Sequence, residues 1–202
     1  MKARKQSIAP QGDMIKKIEE ESNMRSYPKA AGGLKLLFIA EILAIVGAVL
    51  SLVPILGPIL LIVAQVLILV GLYQASTDDE GYKTAFIITI VNLVVSVVSM
   101  FADGVFASIL GIVDTVLNLA VAYFVINTTV NLAHSMGKDE LSAKGQRVWK
   151  LYLVCAVASI VIALLSFIPV LAAALGILLV IFNLIAYILY LIFLYQAPKA
   201  LA

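Results

Sequence analysis

Charge is scarce in this chain. Asp, Glu, Lys and Arg make up 13% of its 202 residues, about half the ordinary share of a soluble domain. The net charge is only +2, so the basic footprint of a nucleic-acid-binding domain is missing and no nucleic acid is expected as a partner. One cysteine, Cys155, excludes an intramolecular disulfide and a cysteine metal cluster. One histidine, His134, excludes a histidine-rich metal site and leaves no Ser-His pair inside an apolar segment. There is also no Gly-rich phosphate loop, no HExxH, no CxxC and no Gly-x-Ser-x-Gly elbow. Neither an enzyme nor a bound cofactor or metal is expected.

What fills the chain is apolar. Hydrophobic residues reach 63%, and the mean hydropathy is +1.09. That composition excludes a soluble globular enzyme and a disordered tail, and leaves an all-α integral membrane protein. A run of about 18 apolar residues or more can cross a bilayer core of roughly 30 Å. Six such spans are legible: 35–53, 59–76, 84–101, 104–132, 151–168 and 171–197. They predict six transmembrane helices, arranged as three hairpins over 34–79, 80–133 and 150–202, with a cytoplasmic linker at 134–149.

The fourteen Lys and Arg residues alternate with the spans in one sense only. Eight lie from Lys2 to Lys35, one is Lys83, four run from Lys138 to Lys150, and the last is Lys199. The opposite connections, 53–58, 102–104 and 169–170, hold none. By the positive-inside rule both termini are expected in the cytoplasm, with the protein in the plasma or inner membrane of the cell. Residues 1–33 contain no apolar stretch suited to a signal peptide, so the first span is expected to act as its own insertion signal. In that polar tail Met14, Ile15 and Ile18 share one helical face, which predicts a short amphipathic helix. Pro28, Gly32 and Gly33 then read as a hinge into the first span.

The spans repeat one another. Each hairpin begins at a lysine: Lys35, Lys83 and Lys150. Counted from these, equivalent positions read Glu41, Ala44, Ala48, Ser51 in the first repeat and Thr89, Asn92, Ser96, Ser99 in the second. In the third they read Ala156, Ser159, Ala163, Ser166. Steps of three and four place each set on one helical face. The second helices also correspond, with Gly111 and Asn118 matching Gly176 and Asn183, and Gly57 and Gln65 as a degraded version. Small residues on such a seam suit close packing of helices in lipid, where no hydrophobic force acts between them. The asparagines suit interhelical hydrogen bonds worth on the order of 1 kcal/mol each.

Two carboxylates lie within spans. An acid at a helix centre costs roughly 2.5–3.5 kcal/mol to insert, so it is expected to face a partner or a cavity. Glu41 is about 9 Å along the axis from Lys35 and within reach of a snorkelling or lysine-paired arrangement. Asp114 is about 16 Å from the turn at Asp103, near mid-membrane. It shares a face with Gly111, Asn118 and Ala122, and it breaks the repeat, because the third hairpin has Leu179 there. The candidate ion, proton or solute site is therefore Asp114 with Asn118, Asn92, Glu41, Gln65 and Asn183. Asp103-Gly104 reads as a tight turn, and Asp78-Asp79-Glu80 as a solvated loop face.

Repeated hairpins resemble the mitochondrial carriers in outline, without their Pro-x-[Asp/Glu]-x-x-[Lys/Arg] signature. In size and span number the chain is similar to the six-span capture subunits of vitamin transporters, and Ala40, Ala44 and Ala48 suit their small-residue docking surface. Its connection between spans 1 and 2 is shorter than the gating loop those subunits need. The sequence leads to two expectations. One is a partner or scaffold subunit that packs, through its seams, on another membrane protein or on a second copy. The other is a small carrier or channel working through the carboxylates.

Overall fold

The computed structural model describes residues 26–52, 55–164 and 169–202. The amphipathic segment expected around Met14 to Ile18, and Ser166 of the seam, lie outside them. Six helices follow in order: α1 (Pro28–Val49), α2 (Leu56–Ala75), α3 (Glu80–Ser99), α4 (Gly104–Ser135), α5 (Asp139–Leu164) and α6 (Pro169–Leu201), with a 3₁₀ turn at Leu50–Leu52. No strand occurs among the described residues. Among the described residues five stretches are long and apolar enough to cross a membrane: α1, α2, α3, α4 and Leu175–Leu201 of α6. The chain is a membrane protein of helical type. α5 carries Asp139, Glu140, Lys144, Arg147 and Lys150 in its first half, and the apolar run expected at 151–168 continues past its described residues.

Two loop expectations change. Residues 28–33 are not a hinge but the first turns of α1, with Pro28 at the position where its missing N–H costs nothing. Gly32 and Gly33 serve approach rather than bending. A β-carbon on Gly33 would collide with the Gly71 carbonyl oxygen and lie 2.9 Å from the Ala75 nitrogen, so the α1 and α2 backbones almost touch. Likewise, most of the 134–149 linker is helix. Only residues 136–138 separate α4 from α5, with Gly137 at φ 68° closing the turn.

The acidic run 78–80 is also more than a solvated face. Asp79 caps α3, accepting from the Gly81 N–H at 2.7 Å. Asp78 reaches across to accept from the Ala30 N–H in the first turn of α1, also at 2.7 Å. Both place a carboxylate at the positive end of a helix, where free N–H groups and the helix dipole favour it. The turn expected at Asp103-Gly104 falls at residues 100–102 instead, with Asp103 at the N-cap of α4 and Gly104, at φ 59°, opening the helix.

Each helix packs on its neighbours in sequence, and α6 returns to pack on α1, so the six close into a ring that α4 and α6 narrow by touching. Both ends of the described chain lie at one end of it. There the Tyr27 N–H donates to the Leu201 carbonyl at 2.9 Å. This end, the base, holds a continuous core including Leu34, Leu72, Tyr82, Val125, Phe193 and Leu201. Within it the Tyr82 hydroxyl donates to Thr129 Oγ1 at 2.8 Å, because the Thr129 hydroxyl is itself given to the Val125 carbonyl. The opposite end, the tip, is open along α3 and α4, while Gly47 of α1 and Gly57 of α2 stay buried. In α3 no residue beyond Thr89 is buried, and in α4 none of those described before Ala122.

Candidate functional site

The ring surrounds a cavity of about 210 Å³ to which every helix contributes. Glu41 comes from α1, Gln65 from α2, Thr89 and Asn92 from α3, Asn118 from α4, Tyr152 from α5 and Tyr190 from α6. A second cavity of about 250 Å³ lies among α4, α5 and α6 and is lined by Asp114, Thr115, Asn118, Ser159 and Asn183 among others. Asn118 and Tyr152 line both. Four of the six sequence candidates thus meet at the first cavity, three at the second, and Asn118 belongs to each.

Glu41 is not paired with lysine. Its carboxylate accepts from the Tyr187 hydroxyl, at 2.6 Å to Oε2. The tie crosses from α6 to α1, the pair that closes the ring. Tyr152 and Tyr190 also lie within electrostatic reach of this carboxylate, and their rings pack edge to face at 5.5 Å. The cavity lining contains no Lys, Arg or His.

Asp114 is held by a different set. Ser96 donates to its Oδ1 at 3.1 Å and Asn118 to its Oδ2 at 3.0 Å. Asn92 then donates to the Asn118 carbonyl oxygen at 2.9 Å. This chain of bonds joins α3 to α4 and runs from the second cavity to the first. Its far end is unsatisfied: the buried carbonyl oxygen of Asn92 has no hydrogen-bond partner. Buried acceptors without a donor are rare and call for an explanation.

Most other polar seam residues turn inward on their own helix. Ser51, Thr89, Ser99, Ser159 and Asn183 all bond to backbone carbonyls three or four residues back. Among the described seam residues Ser96 and Asn92 reach across to α4, and Glu41 is reached from α6. The glycines of the second helices diverge too. Gly57 sits against the Ser51 backbone, where a β-carbon would lie only 2.8 Å from the Ser51 nitrogen, whereas one on Gly111 or Gly176 would meet nothing within 4 Å. Ala44 and Ala156 are half-buried and Ala48 is exposed, while Ala163 falls in the last turn of α5.

The tyrosines around Glu41 are what sequence reasoning missed. Their signal was available in part, since Tyr187 lies four residues from Asn183 on the same helical face. No group of three or more His, Cys, Asp or Glu that could hold a metal ion occurs among the described residues. No protein-family model matches this chain, and no curated protein or solved structure matches it either.

Proposed function

We propose that this protein is a six-span carrier or channel of three repeated hairpins, with both termini cytoplasmic, that takes an ion, a proton or a small solute into the cavities of its helix ring. The observation that carries this reading is that all six helices supply a side chain to one cavity lined by a carboxylate, three carboxamides and three hydroxyls. Polar groups within a membrane are costly, and a packing role alone needs no cavity. Two carboxylates in adjoining cavities, with Asn118 and Tyr152 shared between them, suit stepwise passage from one to the other. The orientation is supported by the lysines and arginines at 29–35, 83, 138–150 and 199, all near the base. Flux tests the proposal: protein in liposomes is expected to conduct protons or a small solute, and Asp114→Asn and Glu41→Gln each to reduce the rate at least about tenfold. Equal flux in wild type and both variants overturns it.

A partner-subunit reading has its own observation, the open face at Gly111 and Gly176. Native mass spectrometry of gently extracted protein separates the two. A stoichiometric second protein, or a homomer dispersed by Gly111→Leu, favours the subunit; a monomer that conducts favours the carrier.

A further inference from the structure

The ligand chemistry of the first cavity follows from what it offers and what it withholds. It offers acceptors. Glu41 Oε2 is occupied by Tyr187 at 2.6 Å, while Oε1 has no partner among the described residues. Asn92, also in the lining, carries an unpartnered carbonyl oxygen that is closed off from the open space, so a ligand reaches it once the carboxamide turns. It withholds basic groups, having no Lys, Arg or His in its lining. An anion would meet an uncompensated carboxylate there, and a neutral hydrocarbon would leave both acceptors unsatisfied.

A bare inorganic cation fits poorly as well. Such ions take a close shell of six or more oxygens, and here Glu41 Oε2 already accepts from Tyr187 and Asn118 Oδ1 from Asn92. The cavity, about 210 Å³, is far larger than one dehydrated ion. Tyr152 and Tyr190 add two aromatic rings, packed against each other, to the same wall. Aromatic rings beside a carboxylate are the surroundings in which organic cations are held, by attraction to the ring face and to the charge together.

On the reading that this cavity binds a solute, we propose that its ligand is a small protonated amine, whose N–H groups are shared between Glu41 and the Asn92 carbonyl and whose carbon skeleton lies against Tyr152 and Tyr190. N–H donors distinguish this class from quaternary ammonium ions, which cannot satisfy Asn92.

The test is equilibrium binding of radiolabelled ethylammonium to the full-length protein in nanodiscs. Ethylammonium, tetramethylammonium, potassium, acetate and ethanol serve as unlabelled competitors. Ethylammonium is expected to bind saturably, and Glu41→Gln to weaken it by more than about tenfold, the usual consequence of removing one partner of a buried charge pair. Tyr152→Leu is expected to weaken binding and Tyr152→Phe to preserve it, since the ring face is retained; this pair stands in if Glu41→Gln fails to fold, as judged by its melting curve. No saturable ethylammonium binding, or binding indifferent to both Glu41→Gln and Tyr152→Leu, overturns the proposal. So does competition by potassium or tetramethylammonium as effective as by ethylammonium. Acetate or ethanol, labelled in a parallel experiment, that binds where ethylammonium does not, and is lost in the cavity variants, overturns the amine while leaving a solute cavity standing. Silence of every probe, with no flux, removes both.

Discussion

At the base of the ring Leu34, Leu72 and Val125 are fully buried, while at the tip Met100, Phe101 and Val105 are more than three-quarters exposed. Both regions are built from the same Val, Leu, Ile and Phe. What differs is how closely neighbouring helices approach one another. α4 has 32 residues, about 48 Å of helix at 1.5 Å per residue, which exceeds a bilayer core of roughly 30 Å. A helix of that length either tilts or extends past the core, and wherever it meets water burying apolar surface is favourable by about 25 cal/mol per Å². Toward the tip, lipid is as apolar as leucine, and nothing presses one helix onto another. Close packing there needs small residues or polar bonds, and the polar bonds are the ones that line the cavities.

The largest effect expected to sharpen this contrast comes from glycines at the base. A β-carbon on Gly145 would lie 2.8 Å from Phe193 Cε2 and collide with Val130, wedging α5 away from α4 and α6. Gly33 is blocked by backbone, which cannot rotate aside. Gly145→Leu and Gly33→Leu are expected to cost more than the roughly 1–3 kcal/mol typical of overpacking, and to abolish a monodisperse, cooperatively melting species in detergent. Wild-type melting temperatures in both variants would show that the base is not the rigid half.

A smaller effect is expected where the base is fastened by charge. Asp78→Ala leaves the Ala30 N–H without its acceptor and removes a negative charge from the start of α1. A loss of about 1 kcal/mol is expected, the usual cost of a helix cap, read as a lower melting temperature. Asp78→Asn should recover part of it, since the amide oxygen still accepts while the charge is gone. Equal losses in the two variants would assign the effect to charge alone.

These two regions are not equally legible in the sequence. Helix positions follow from apolar runs, because in lipid a span must be long, apolar and internally hydrogen-bonded. The six polar candidates read from the spans divide between two cavities, Glu41, Gln65, Asn92 and Asn118 lining one and Asp114, Asn118 and Asn183 the other. The tie from Tyr187 to Glu41 stays hidden because it joins residues 146 apart in sequence, across a ring closure that local periodicity cannot express. Asp78 reads as a solvated loop residue for the same reason, since a loop carboxylate shows its purpose only when a distant helix end arrives beside it. Residues 139–149 read as linker because charge marks a water-facing segment equally well whether it is coil or helix.

The tip supplies a weaker perturbation. Gly111→Ala and Gly176→Ala add a methyl into open space within the chain. Helix propensity favours alanine by up to about 1 kcal/mol, so each isolated protomer should melt at the wild-type temperature or slightly above it. A clear drop would mean that another chain or the opposite helix closes on these glycines, and the tip would then be packed like the base.

The smallest expected effect is electrostatic, at the exposed start of α5. A hydrogen bond from Lys144, at 2.8 Å, and its charge hold the Glu140 carboxyl below its ordinary value. A group depressed in the folded state adds stability that is present above its unfolded pKa and is lost as pH falls through the folded one. Glu140→Gln should therefore lower the melting temperature slightly at neutral pH and not at all in acid, below the carboxylate range. Exposed pairs of this kind are screened and contribute little, so the difference should also vanish in high salt. A deficit that persists in acid would mean that Glu140 supports the helix junction through packing, and the polar opening of α5 would then belong to the rigid base.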